Sequence, residues 1–336
     1  YFKLQNFFSL LINSDKSQVV LRNMELVTRH NISTISVRKY MDVKNIGKIQ
    51  TPLNVLRQNA FCEVDRCINE ITPGSKRILE LTLPTGMGKT LTSFNFAFGL
   101  WRKLEREMGR KYRIIYVLPF LSIVDQNSKI LEDIIKTIAP DLKNTSIKHH
   151  HLSPVKWEGD EMNIDFNYNM AEIFIEGWNA DIIITSFVQF FETLIGYTNK
   201  RLRKYINLAN SIVIIDEIQA LPIKYYSLIR ETLHSFVALA DSYIIAMTAT
   251  QPRIFLPNQV NVLCDSQKYF KTVDRIILKN QIDNPMTIAE FIDSVNFKDN
   301  KKYLIILNTI QCAKVVFNLL SKKYPDKNGS FISSQV

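Results

Sequence analysis

The stretch Pro84-Thr85-Gly86-Met87-Gly88-Lys89-Thr90 brings two glycines, a lysine and a threonine hydroxyl together within one turn's length of chain. It follows the apolar run Ile78 to Leu83 and precedes an amphipathic stretch, the strand-loop-helix context in which backbone N–H groups close around an anion. In such a loop the backbone of Thr85, Gly86, Met87 and Gly88 cradles phosphate, Lys89 reaches the β and γ phosphates, and the Thr90 hydroxyl ligates Mg²⁺. Leu83 stands where the strict GxxxxGKT pattern has its first glycine. A plain glycine turn is the competing reading, and the intact Gly88-Lys89-Thr90 with its flanks argues against it.

Asp216-Glu217 closes the apolar run Ile212 to Ile215. Two carboxylates at the carboxyl end of a central strand stand where an open α/β sheet places its ligand crevice. Asp216 can hold the Mg²⁺ shell and Glu217 can orient and deprotonate an attacking water, because γ-phosphate hydrolysis needs positioning and charge neutralisation more than covalent help. Alone, the pair reads equally well as a helix cap. Met247-Thr248-Ala249-Thr250 ends the next apolar run, so the hydroxyls of Thr248 and Thr250 fall beside the carboxylates and can couple the γ-phosphate state to a nucleic-acid face.

Elements that could hold these groups are legible in the pattern. From residue 78 onward, short branched apolar runs alternate with longer amphipathic stretches, the form of a parallel sheet covered by helices on both faces. The pattern predicts strands at about 78–83, 113–118, 181–185, 211–215 and 243–247, with helices near 89–108, 122–138, 186–195 and 223–238. Residues 1–45 read as a separate helical piece. The ATP-binding lobe is expected over 46–252, a linker over 253–270 where Pro257, Asp265 and Ser266 loosen the pattern, and a new rhythm over 271–336 with a strand at Lys302 to Leu307.

Composition narrows the partner. Forty-two Lys plus Arg against 32 Asp plus Glu give a net charge of +10, which favours a polyanion. Six of the twelve residues from Arg102 to Arg113, and four of the five from Lys200 to Lys204, are basic; such runs are usually solvated faces and become evidence for a phosphate-tracking surface only in company. Cys62, Cys67, Cys264 and Cys312 form no CxxC pair, so neither a zinc site nor a disulfide framework is indicated, and a reducing cytoplasm is the expected home. No apolar run is long enough for a bilayer. His149-His150-His151 invites a metal reading, but successive strand residues face opposite ways and no acid or cysteine stands at helical spacing.

The phosphate loop has the form PTGxGKT found in helicases of superfamily 2. With it come Tyr116-Val117-Leu118-Pro119-Phe120-Leu121-Ser122-Ile123-Val124-Asp125-Gln126, then Thr185-Ser186-Phe187-Val188-Gln189-Phe190-Phe191-Glu192, Asp216-Glu217-Ile218-Gln219-Ala220-Leu221-Pro222, and Met247-Thr248-Ala249-Thr250-Gln251-Pro252. In content and order these strings resemble the CRISPR-associated helicase and nuclease family of type I interference systems.

That resemblance implies a RecA-like P-loop NTPase lobe followed by the start of a second RecA-like lobe. It also implies ATP and Mg²⁺ as cofactors and DNA translocation in antiviral defence. The partners it implies are single-stranded DNA and an RNA-guided surveillance complex, with no membrane. Pro119 and Thr185 would lie near the sugar-phosphate backbone, and Gln58 would read adenine through its amide. An HD nuclease would precede the motor, holding a divalent transition metal with Asp15 as its last ligand, although no His-Asp dipeptide occurs in this chain.

In such motors the second lobe supplies an arginine finger, and no arginine follows Arg275. The stretch alone is therefore expected to bind ATP and hydrolyse it poorly. An RNA helicase, a restriction-type translocase and a non-catalytic ATP-switched nucleic-acid-binding module remain the rivals.

Overall fold

In the computed structural model, residues 2–21, 29–72, 74–142, 145–149, 175–250, 254–272, 279–280, 282–298 and 301–333 are described. The strands in chain order are β1 (Ile78–Thr82), β2 (Arg113–Leu118), β3 (Ser146–His149), β4 (Ile182–Ser186), β5 (Ser211–Ile215), β6 (Tyr243–Thr248) and β7 (Asn261–Val262). They form one sheet of order β3-β4-β2-β5-β6-β1-β7 in which every ladder is parallel. The helix α3 (Pro52–Glu70) leads into β1; parallel strands then need crossovers, and these include α4 (Lys89–Met108), α5 (Leu121–Ile138), α6 (Phe187–Ile195), α7 (Asn199–Tyr205) and α8 (Tyr226–Leu239).

Strand alternation divides the core between two faces. Ile114, Tyr116, Leu118, Ile212 and Ile214 pack with α3, α4 and α5, whereas Ile115, Val117, Val213 and Ile215 pack with α6 and α8. Because each face meets a helical layer, the central strands carry apolar residues without alternation. The expected α/β architecture, with helices on both faces of a parallel sheet, is the one observed.

Several expectations differ from the structure. Two strands are additional to those read from the sequence, β3 and β7, the outermost members of the sheet. Residues 253–270, read as a linker, supply β7, which pairs with Leu79 and Glu80, and α9 (Ser266–Thr272), whose Tyr269 is fully buried and donates to Glu63 Oε2 at 2.6 Å. Residues 1–45 are not a separate piece. The helix Phe2–Leu21 lies on α7 and α8, with Gln5 donating to the Gly196 carbonyl at 2.7 Å, and Tyr40, in the helix Val37–Val43, donates to Asp133 at 2.8 Å.

The chain divides into two compact units, 1–274 and 275–336. In the second, the helices Ile288–Ser294 and Ile310–Lys323 join through Ile292, Val316 and Leu320. The segment 302–307, expected as a strand, has no ladder among the described residues; extended backbone counts as a strand only where a neighbour accepts its hydrogen bonds.

Candidate nucleotide site

The loop between β1 and α4 is tied at its base by Leu83 N–H donating to the Thr248 carbonyl at 3.2 Å. Gly86 and Gly88 adopt φ of 74° and 79°, a region open to glycine and strained for other residues. Gly88 caps α4 with no side chain bonding its first turn, so the loop and the N–H groups of that turn face outward as an anion-binding end. Thr85, Gly86 and Gly88 are exposed, while Met87 is buried and anchors the loop in the core.

Across the strand tips, Lys89 Nζ lies 3.2 Å from Glu217 Oε1. Gln219 donates to the other Glu217 oxygen. Glu217 itself adopts a left-handed φ of 49°, a conformation costing a non-glycine residue ~1 kcal/mol and one that concentrates at functional sites. Asp216 is buried, and burial pushes its carboxyl above the usual carboxylate range, opposed by the hydrogen bond from Tyr116. Its Oδ2 accepts from Tyr116 Oη at 2.7 Å and its Oδ1 from the Glu217 N–H at 2.9 Å.

The structure thus gathers Lys89, Thr90, Asp216 and Glu217 at one sheet edge. A buried carboxylate beside a threonine hydroxyl is a hard-oxygen donor set of the kind that takes Mg²⁺ with one or two protein ligands and substrate phosphates. These residues fit that ion. Among the described residues no group of three or more His, Cys, Asp or Glu could hold a metal. Asp15, exposed on the helix Phe2–Leu21, therefore has no partner set for a transition metal there.

Gln58 sits exposed on α3, its amide within 3.3 Å of Cys62 Sγ. Its neighbour Arg57 donates to the Gly86 carbonyl at 2.8 Å and is braced by Asn54 at 3.0 Å. That contact joins α3 to the phosphate loop, and sequence reading missed it. Thr248 is buried, with its hydroxyl donating to the Thr250 carbonyl at 2.8 Å and accepting the Thr250 N–H at 3.0 Å. The two threonines form one local turn at the tip of β6.

Thr185, expected near the sugar-phosphate backbone, does not present its side chain at the surface. Its side chain is fully buried and its hydroxyl donates to the His149 carbonyl at 2.8 Å, because β4 is covered by β3 on one side and β2 on the other. Pro119 is half-buried at the end of β2. His149 is also buried: its Nδ1 accepts from Trp178 Nε1 at 2.7 Å, which leaves the neutral ring's proton on Nε2, facing Glu176 at 3.7 Å. Burial lowers its pKa. His150 and His151 lie outside the described residues.

The basic runs separate in the same way. Lys103 is buried and donates to the Ile68 and Asn69 carbonyls, and Arg102 donates to the Ile35 carbonyl. Arg113 donates to the Ala180 carbonyl and burial lowers its pKa to about 9. Half of that stretch is structural. In the second run Lys204 is buried against Glu176 and Trp178, while Lys200 is exposed.

A parallel sheet whose strand tips carry a phosphate loop, an acid pair and a threonine turn defines a RecA-like P-loop lobe. The chain belongs to the family described as "Type III restriction enzyme, res subunit", whose model matches residues 56–253, and within the superfamily 2 helicases it is Cas3-like. It is 31% identical over 226 residues, 65% of its length, to the "CRISPR-associated nuclease/helicase Cas3" of Haloferax volcanii, and spans 24% of that protein. The crystal structure of the DUF1998 helicase MrfA covers 87% of this chain with 42% of its own, at TM-score 0.51 and 14% identity. The T. fusca Cas3-ADP structure covers 51% of this chain with 18% of its own, at TM-score 0.41 and 20% identity.

Proposed function

We propose that the protein is an ATP- and Mg²⁺-dependent single-stranded DNA translocase or helicase of type I CRISPR interference. In the full protein it would be coupled to an HD nuclease and recruited by a guide-RNA complex that has displaced one DNA strand. The observation that carries the reading is the 3.2 Å contact of Lys89 with Glu217, which puts the phosphate-binding lysine and the candidate base within one γ-phosphate's width. When bound, Mg²⁺ would neutralise phosphate charge and orient the terminal phosphoryl oxygens.

The chain's own residues do the rest. The loop's N–H groups and the first turn of α4 hold the phosphate oxygens, and Lys89 exchanges its carboxylate partner for a phosphate. Glu217, steadied by Gln219, then turns to a water and takes its proton. Asp216 and Thr90 are the residues that would hold the metal. Gln58 would recognise adenine through its amide, and Thr248 and Thr250 would join the phosphate end to the nucleic-acid surface.

The test is ATPase turnover of the full protein with single-stranded DNA, duplex DNA or RNA added, alongside Lys89→Ala. Stimulation by single strands of DNA is expected, with Lys89→Ala losing ~10²-fold or more in kcat/KM for ATP, as for removal of one preorganised charge-stabilising donor. Turnover untouched by Lys89→Ala would refute the reading. The matched family's description favours a second reading, a restriction-type translocase, for which duplex DNA would be the stronger stimulant.

A further inference from the structure

Tyr116 bonds to Asp216, one of the two residues assigned above to the Mg²⁺ shell. It is fully buried in β2, its ring edge-on to Phe94 of α4 with centroids 5.0 Å apart. The β2-β5 register sets Tyr116 opposite Ile214, so the ring lies one residue pair behind Asp216 on the α4 face of the sheet. From there its hydroxyl donates to Asp216 Oδ2 at 2.7 Å.

Packing does not explain the hydroxyl. A phenylalanine fills nearly the same volume and keeps the contact with Phe94, whereas a buried hydroxyl is tolerated only when hydrogen-bonded. The Asp216 carboxylate, accepting from Tyr116 on one oxygen and from the Glu217 N–H on the other, is held in one plane. Outer partners of this kind orient a metal-ligating carboxylate and typically control ~10–100-fold of metal affinity.

We infer that Tyr116 is a positioning residue that fixes the Asp216 carboxylate, so that it meets Mg²⁺-nucleotide already oriented. The inference rests on the motor reading, and the experiment separates the two. A fluorescent ADP analogue is titrated into the full protein with excess EDTA and across a MgCl₂ series, for the parent, Tyr116→Phe and Asp216→Asn.

Tyr116→Phe is expected to bind the analogue in EDTA within about twofold of the parent. Its Mg²⁺-dependent tightening is expected to fall ~10-fold, the lower end of the range for such outer partners. Unchanged tightening would overturn the inference and leave the motor reading standing. Equal losses with and without Mg²⁺, or failure of Tyr116→Phe to fold, would also overturn it, since Tyr116 would then serve packing alone. Asp216→Asn keeping the parent's full Mg²⁺ response would remove the motor reading and this inference together.

Discussion

Replacing Glu176 by glutamine strands a buried cation, and the structure sets the size of the effect. Glu176 lies 3.7 Å from His149 Nε2 and 3.6 Å from Lys204 Nζ. The His149 ring nitrogen 3.7 Å away, aided by the Lys204 charge and opposed by burial, brings its carboxyl from 4.5 to about 2. Burial brings the Lys204 ammonium from 10.5 down to about 8. At ~1.4 kcal/mol per tenfold, each shift corresponds to ~3 kcal/mol, of opposite sign.

The carboxylate's contribution is present above 4.5 and fades as pH falls toward 2. The lysine's cost is full below 8 and disappears as pH rises toward 10.5. Glu176→Gln keeps the cost and loses the gain, as removal of one partner of a buried pair does.

The assay is hydrogen exchange of the β4 amides in the full protein, corrected for intrinsic rates. Exchange of Ile182 to Thr185 is expected to accelerate ~100-fold at pH 7, equivalent to ~3 kcal/mol. The acceleration should shrink above pH 8, and Glu176→Gln combined with Lys204→Met should return it to within about threefold of the parent. A single variant that exchanges like the parent at pH 7, or a double variant as fast as the single, would refute the reasoning.

Thr185→Val should leave single-stranded DNA affinity within about twofold while loosening β4 by ~1 kcal/mol, because the lost hydrogen bond is internal; filter binding and hydrogen exchange measure the two. Gly88→Ala should weaken nucleotide binding by ~10-fold, from ~1–2 kcal/mol of left-handed strain at the loop's exit, as read by fluorescent ADP titration. Arg57→Ala should raise the KM for ATP several-fold with kcat changed by less than about threefold, since it frees the Gly86 carbonyl and costs ~1 kcal/mol; steady-state ATPase kinetics of the full protein check it.

The five inner strands were readable because each is buried on both faces and therefore spells an apolar run, as in Ile182-Ile183-Ile184 and Ile212-Val213-Ile214-Ile215. The edges were not. Ser146-Ile147-Lys148-His149 shows one aliphatic residue, and Asn261-Val262 is too short to carry a period, so only neighbours reveal them as strands. Lys89, Thr90, Asp216 and Glu217 were legible because phosphate chemistry fixes residue types at the ends of strands. Tyr116, Arg57 and Glu176 act on partners distant in the chain, and no local spacing announces such contacts. Likewise a run of lysines and arginines reads as surface, while Lys103 and Lys204 find buried acceptors only once helices have packed.

Strand β6 is bonded to β5 on one side and to β1 on the other, and its tip Thr248 accepts the Leu83 N–H at the root of the phosphate loop. The acid-bearing and phosphate-bearing ends therefore share one spacer. Inserting or deleting a single residue between Tyr243 and Thr248 would shift both ends at once and turn the inward side chains outward. Length changes ahead of β3 or after β7 meet a neighbour on one side alone. Tolerance to indels should accordingly be lowest along the middle of the sheet and rise toward its rims, a gradient that a scanning library selected for function would map directly.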